Sequence, residues 1–357
     1  MYSIIFSLLF LIKIHMPPIT AEVAIIGAGT AGCFIASLLD NAGIGCVVIE
    51  KSRGLGGRCS RRRINNENNT NYGIDLGAPE FSSGKVTHPQ LNDMIDAWET
   101  AGHISKWAKT VGRFDNVPSA TETVTTLCGV PSMNAWHSNI AGHLNILTQN
   151  RVCSLARADH RWHLFDEHNK PIAVTNKLVI TAPPEQTRDL LNTAESTANF
   201  SLPDTLPQES LPQYVCAIGF PSSLGLAADV YENGHLSLHR AIRENSKPGR
   251  ICPAPHEEVW VLHSSFEWAQ AQNHAPSDKV ALALANTFCH HFGIKAKPKV
   301  LTSHYWRMAK YKSTSHKNTA FIWHSDFNVG CCGDWLGRGG TIGALNSAFA
   351  LHQAILR

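Results

Sequence analysis

Residues 22–32 read EVAIIGAGTAG, an apolar run closing on Gly27, Gly29 and Gly32 in the pattern G-x-G-x-x-G. A β-branched apolar run of this length predicts a strand buried on both faces. CFIASLLDNAG, residues 33–43, carries apolar residues at helical spacing and stops at Gly43. CVVIE, residues 46–50, predicts a second apolar strand ending in a carboxylate. Together these form one βαβ unit of about thirty residues. In such a unit Gly27 permits the tight turn, Gly29 lets backbone approach a pyrophosphate, and Gly32 lets helix pack on strand. The helix start at Thr30 and Ala31 offers unpaired N–H groups to phosphates. Glu50, 23 residues after Gly27, is placed to accept hydrogen bonds from a ribose diol.

Composition narrows the remaining choices. The chain has 357 residues, 43% hydrophobic and 17% charged, so extensive intrinsic disorder is excluded. A formal net charge of +3 is too small to argue for nucleic acid or a membrane surface as the main partner. Ten cysteines without a C-x-x-C, and nineteen scattered histidines without H-E-x-x-H, predict neither a disulfide scaffold nor a metal site. Free thiols and a cytoplasmic location are expected. Residues 2–12 (YSIIFSLLFLI) are too short to span a bilayer and lack a basic n-region and an A-x-A-like cleavage site. Residues 1–15 are therefore expected to be a dispensable or mis-started segment, with Met16 the working initiator. A secreted or anchored form is the alternative, because the length of the apolar run fits a signal.

Further along, KSRGLGGRCSRRR (51–63) predicts a glycine- and arginine-rich loop, and the Asn-rich residues 65–71 a surface loop. Residues 151–157 and 161–167 predict paired strands, and KLVITA (177–182) a buried one. Residues 193–213, rich in Pro, Ser and Thr, predict a crossing linker. Residues 214–220, 235–240 and 259–265 alternate as in an antiparallel sheet. SDKVALALANTFCHHFG (277–293) predicts an amphipathic helix capped by its serine. VGCCGDW (329–335) predicts a strand and turn, and residues 341–356 a final helix entered through Gly339-Gly340.

The loop after Glu50 separates flavin from nicotinamide binding. Leu55-Gly56-Gly57-Arg58 allows a second backbone approach to a long dinucleotide, with Arg58 available to its phosphates. With Asp75-Leu76-Gly77-Ala78, this resembles the FAD-binding half of the flavin amine oxidase superfamily. Gly333-Asp334 could bring a carboxylate to the ribityl chain. A helix starting near Thr341 and Ile342 would aim its positive end at the flavin pyrimidine ring. Within that superfamily the chain resembles the renalases, particularly bacterial ones. The resemblance is carried by VAIIGAGTAG, EKSRGLGGRCSRRR, IDLGAPEF, GVPSMNA (129–135), KLVITAPPEQTRDLL, RENSKPGR (243–250), VWVLHSSFEWAQ (259–270) and CCGDW.

The resemblance implies an α/β fold with a Rossmann-like FAD-binding domain and a discontinuous α+β substrate domain on an antiparallel sheet. This is the flavin amine oxidase or p-hydroxybenzoate hydroxylase-like architecture. The first domain would comprise 20–90, 145–195 and 320–357, the second 91–144 and 196–319. FAD would be non-covalent, with Lys51, Arg53, Ala78 and Val152 joining the residues above around it. Renalases oxidise 1,2- and 1,6-dihydro isomers of NAD(P) to NAD(P)⁺ and pass electrons to O₂, giving hydrogen peroxide. Regained aromaticity drives that hydride transfer, so no proton need be abstracted first. His263, Arg243 and Asn245 are the implied substrate-side residues. For His263 a core position is the alternative; Arg243 and Lys247 are phosphate contacts or equally solvated loop charges, and Arg61–Arg63 frame the FAD pyrophosphate or form a surface run. Trp98, Trp107 and Trp136 are expected in core packing, as are Cys331 and Cys332. Departures from the family pattern are Pro79-Glu80, and Tyr305 and Met308 in SHYWRMAK (303–310). These leave open a flavin amine oxidase or desaturase acting on another small donor, with Lys310 the one lysine nominated near the flavin. A non-catalytic FAD-binding protein is a further alternative. No nucleic acid and no stable membrane association are expected.

Overall fold

Neighbours on both sides bury β1 (Ile19–Ile26), whose Val23, Ala24 and Ile25 are fully enclosed. It pairs in parallel with β2 (Cys46–Ile49) on one side and β10 (Pro171–Ile180) on the other. The computed structural model describes residues 17–65, 71–82, 84, 86–114, 121–194, 209–233, 237–252, 255–272, 275–311, 320–336 and 339–357. The apolar segment 1–15, the core of the Asn-rich loop (66–70) and residues 195–208 of the expected linker lie outside these. β7 (Ile146–Leu147) extends the sheet beyond β2, while β17 (Val329–Cys331) and antiparallel β16 (Ile322–His324) extend it beyond β10. The hairpin β8 (Ser154–Ala158) and β9 (Arg161–Phe165) adds to β10. Two helices, α1 (Thr30–Asn41) and α7 (Gly340–Ile355), pack on one another beside this sheet. The chain leaves β1 for β2 on one side and returns as β10 on the other. Strand order therefore reverses at β1, and a crevice opens at its carboxyl end.

The second sheet has seven strands in the order β15-β11-β14-β13-β12-β5-β6. These are β5 (Ile104–Arg113), β6 (Glu122–Gly129), β11 (Ser210–Phe220), β12 (Val230–Glu232), β13 (Leu238–Arg243), β14 (Glu258–Ser264) and β15 (Lys299–Tyr311). All pairings are antiparallel except β12 with β5. One face, with Ala217, Val230, Ile242 and Val261, shares a core with Val23, Ile25 and α1. The opposite face, with Tyr214, Cys216, Trp260 and Leu262, packs under α6 (Ser277–His291). Ser277 does not cap that helix: Pro276 occupies the cap position and no side chain bonds there. Trp107 and Trp136 are buried, and Trp98 packs edge-on to Phe34 at 5.6 Å between centroids. Cys331 and Cys332 are fully buried, which raises both thiol pKa values. Among the described residues no helix is long and apolar enough to cross a membrane.

A small hairpin of β3 (Arg61–Asn65) and β4 (Asn71–Asp75) forms a separate two-stranded sheet, with β3 near β15. Arg61–Arg63, expected in a loop, are therefore strand residues; the loop ends at Ser60. Asp75 at the end of β4 is buried with Glu244, Lys247 and Arg250. Lys247 Nζ lies 2.7 Å from Glu244 and 3.3 Å from Asp75, and Arg250 pairs with Asp75. Asp75 also accepts the Met133 N–H at 3.0 Å, while its own N–H donates to Glu244 at 3.1 Å. The turn before α3 (Ala135–Ala141) is thereby tied to the hairpin. Two carboxylates balance two cations, so removing one partner strands a buried charge. Lys247→Met is expected to destabilise the fold by about 3–5 kcal/mol. Urea unfolding reads this as a lower midpoint at unchanged slope; a loss under about 1 kcal/mol would contradict the role.

Candidate functional site

The crevice at the carboxyl end of β1 widens into a cavity of about 2410 Å³ between the two sheets. That exceeds the roughly 300–1,000 Å³ of a small-ligand pocket, leaving room for a dinucleotide and a second molecule. Ile26, Ile49, Thr181 and Gly333, at or just after the ends of β1, β2, β10 and β17, form its floor.

At one end stands the glycine turn. Gly27 adopts φ +101°, a conformation side chains rarely tolerate, and donates its N–H to Ile49 O at 2.9 Å. Glu50 is buried, and its carboxylate accepts the N–H groups of Ala28 (2.8 Å) and Ser52 (2.7 Å). A Cβ on Gly32 would sit 1.9 Å from Gly27 O, so this glycine brings helix against turn. A Cβ on Gly29 would meet nothing within 4 Å. No side chain caps α1, so its first N–H groups remain available to an anion. Beneath the turn, Thr30 Oγ1 lies 3.0 Å from Nε2 of buried His137 in α3. Burial holds His137 neutral, its pKa pushed down to about 3.

A second turn closes on the first. Gly56 donates to Ala28 O at 2.8 Å, and Ala78 to Arg58 O at 2.8 Å. The Arg58 guanidinium pairs with Asp334, donates to Ala309 O at 3.3 Å and lies 5.2 Å from the Tyr311 ring centroid. Three segments distant in sequence thus converge. Gly27, Gly29, Thr30, Ala31 and Glu50 line the cavity, followed by Lys51, Arg53, Gly57 and Arg58. Ala78, Val152, Gly333, Asp334 and Thr341 line it as well. Gly32 and Ile342 do not: Gly32 is spent on packing, and the Ile342 side chain lies in the core.

The opposite wall is the seven-stranded sheet, whose apolar inner face turns polar toward the cavity. Gln213, His239, Arg240, His263 and His304 line it there, with Phe266 of α5 (Phe266–Ala271). Of the three residues expected on the substrate side, only His263 lines the cavity. Arg243 is absent from the wall; its guanidinium donates to Leu226 O (2.5 Å) and Ala228 O (3.0 Å) across the opposite face of the sheet. Asn245 accepts Val259 N–H at 3.0 Å and lies in a 3-10 turn away from the cavity. Lys247 is neither solvated nor phosphate-facing but locked in the buried cluster. Arg240, three residues before Arg243, was not singled out by sequence. It pairs with Glu80 and, at 2.8 Å, with Glu232. Burial alone would raise Glu80, but Arg240 and Lys109 outweigh it and hold its pKa at about 2. Tyr305, Met308 and Lys310 of β15 also line the cavity.

Charge is unevenly spread. Ten Lys and Arg side chains line the cavity, among them Arg58, the run Arg61–Arg63, Arg240 and Arg307; only three carboxylates do, Glu50, Asp189 and Asp334. Among the described residues no group of three or more His, Cys, Asp or Glu could hold a metal ion.

The NAD(P)-binding Rossmann-like domain family matches residues 25–98. Cyclohexylamine oxidase from Brevibacterium oxydans IH-35A superposes with a TM-score of 0.68 at 11% identity, over 94% of this chain and 98% of that one. A redesigned triple variant of putrescine oxidase superposes with a TM-score of 0.67 at 11% identity, over 95% and 99%. The chain has the fold of these oxidases, built on a Rossmann-like nucleotide-binding domain.

Two outcomes follow from this geometry. Gly29→Val has allowed backbone and nothing within 4 Å of its Cβ, so it should fold normally yet lose a bound dinucleotide, measured as nucleotide absorbance after purification. Gly32→Ala should instead lower thermal stability; a fully nucleotide-loaded Gly29→Val protein would refute the assigned turn. Second, His137 and His263 both titrate near 3, below the ordinary 6.5. The unfolded chain takes up these protons as pH falls through 6.5 and the folded one does not, so stability present at neutral pH is lost between 6.5 and 3. Each group adds up to about 1.4 kcal/mol per pH unit. Urea midpoints from pH 7.5 to 5 should fall, and His137→Gln should flatten the slope; a flat wild-type profile would contradict both assignments.

Proposed function

We propose that the chain is an FAD-dependent oxidase, with the cofactor held non-covalently, that takes hydride from a reduced nicotinamide dinucleotide. The favoured donors are the 1,2- and 1,6-dihydro isomers of NAD(P). With O₂ and a proton they give NAD(P)⁺ and hydrogen peroxide. The observation that carries this reading is the charge of the cavity: with Arg240 set aside because Glu80 and Glu232 match it, nine cations face three carboxylates in a space larger than one dinucleotide needs. The two phosphates of FAD leave that wall still positive. An alkylammonium donor would enter against its field, whereas a phosphate-bearing donor would be drawn in.

In this reading the nucleotide part is drawn from 20–90, 145–195 and 320–357, the substrate part from 91–144 and 196–319. Glu50 accepts hydrogen bonds from the adenosine ribose through lone pairs that Ala28 and Ser52 leave unused. The α1 N-terminus and Arg58 hold phosphates, and Asp334 fixes Arg58 in place. The N-terminus of α7, entered at Gly339-Gly340, presents its positive end to the cavity. When bound, FAD supplies the hydride acceptor and the route of electrons to O₂. The sheet wall orients the donor ring, and neutral His263 is not required as a base, since the donor regains aromaticity on losing hydride.

Lys310 on the cavity wall favours a second reading, an amine oxidase or desaturase. Anaerobic mixing of the flavin-loaded protein with each donor class separates them. Bleaching of the flavin by dihydro-NAD isomers, with amines inert, is the expected result. Bleaching by amines alone would replace the proposal with the second reading, and bleaching by neither would leave a non-catalytic flavoprotein.

A further inference from the structure

Three neighbouring strands bring Gln213, His263 and Arg240 together on the sheet wall of the cavity. Arg240 of β13 stands directly opposite His263 of β14. Val215 of β11 stands opposite His263 on its other side, with Gln213 two residues earlier on the same face.

The hydrogen bonds fix which atoms donate. The Ser264 carbonyl can only accept, so the Gln213 atom 2.9 Å from it is the amide nitrogen. Gln213 Oε1 therefore faces His263 Nδ1, at 3.4 Å, and Nδ1 carries the hydrogen. Burial, aided by the positive charges of Arg240 and Lys247 and by His239, pushes the His263 pKa down to about 3. The ring is thus neutral, and Nε2 is a bare acceptor, buried and without a partner. Next to it, Arg240 has its charge matched by both Glu80 and Glu232, yet its buried Nε–H also lacks a partner. Buried polar atoms are almost always satisfied, so an unfilled acceptor and an unfilled donor on paired residues that line the cavity point to a ligand that completes both as these side chains turn toward it.

We propose that Gln213, His263 and Arg240 form a primary-carboxamide subsite, in which the amide N–H donates to His263 Nε2 and the amide oxygen accepts from the Arg240 guanidinium. Gln213 is a positioning residue: it touches no ligand but selects the histidine tautomer. A carboxylate fits poorly, because its lone pairs meet that of Nε2 and Arg240 has no uncompensated charge to offer. The inference deepens the proposed function and rests on it for the donor's identity, since a dihydronicotinamide ring carries such an amide.

The test titrates the flavin-loaded full-length protein with nicotinamide and with nicotinate, reading flavin difference spectra and tryptophan fluorescence. Nicotinamide should bind at least about tenfold more tightly, the worth of one satisfied buried hydrogen bond. His263→Leu and Gln213→Leu should both erase that ratio while flavin content and circular dichroism stay unchanged. Independently of any ligand, long-range ¹⁵N–¹H spectra between pH 6 and 8 should show His263 protonated at Nδ1 only, assigned by its loss in His263→Leu. Equal or tighter binding of nicotinate, binding of neither, or a proton on Nε2 would overturn the subsite. Flavin reduction by dihydro-NAD isomers is scored separately. Its failure with the ratio intact removes the proposed donor alone, and the reverse removes the carboxamide subsite alone.

Discussion

A single buried carboxylate, Asp75, governs how the cavity is assembled. It receives the Met133 N–H, Arg250 and Lys247, while its own backbone N–H reaches Glu244. These partners belong to separate segments: the turn before α3, and the chain after β13. Taking a carboxylate out of water costs several kcal/mol, which only a full set of donors offsets. The segments are thus held jointly or not at all. Leu76, Gly77, Ala78 and Pro79, which follow Asp75 directly, then become cavity wall. The same constraint seats α3 so that His137 supports Thr30 at the start of α1.

Charge falls into two classes with opposite energetics. Inside, Asp75 and Glu244 face Lys247 and Arg250, and Glu80 faces Lys109 and Arg240, which the part-exposed Glu232 also meets, so each of these buried ions is compensated. Along the cavity rim, Arg62, Arg63 and Arg307 are exposed, and β3 and β15 carry no comparable run of carboxylates. An exposed guanidinium costs little in water, and salt screens it beyond about 8 Å. Once phosphates arrive and displace water, the same charges act at lower dielectric and with charge-assisted hydrogen bonds. The rim is cheap to maintain empty and would favour an anionic ligand over a cationic one.

How far sequence could see follows from what is local. The βαβ unit was legible because period, glycine spacing and Glu50 are properties of one continuous stretch. Convergence of the Arg58 turn, Ala78 and Asp334 was legible only through resemblance, since no local rule joins residues nearly three hundred positions apart. Which residues of β13 face the cavity was not legible, for a reason of parity. Arg240 and Ile242 share one face of β13, while Ala241 and Arg243 share the other, where Arg243 lies 5.3 Å from the Trp260 ring. A register shift between Leu238 and Arg240 breaks even that alternation, which brings both His239 and Arg240 to the cavity. Such a shift belongs to the pairing of strands and leaves no mark in one strand's composition. β15 escaped notice for a related reason: SHYWRMAK is half-exposed along most of its length, so no apolar alternation marks it.

The departure at Pro79-Glu80 acquires a physical meaning from the same wall. Glu80 binds Lys109, accepts from Thr126 at 2.9 Å and pairs with Arg240, so a position just outside the cavity sets the charge of a residue lining it. Were a neutral side chain there, Arg240 would face the cavity with Glu232 alone, and Lys109 would be a buried cation without its carboxylate. The first change would favour anionic groups against that wall; the second would cost stability, because Lys109 is only 2% exposed. Arginine at position 240 and glutamate at position 80 are therefore one unit. Together they turn a cation into a neutralised hydrogen-bond donor, so the uncompensated charge of the cavity stays at the rim while the wall at Arg240 offers hydrogen bonds rather than charge.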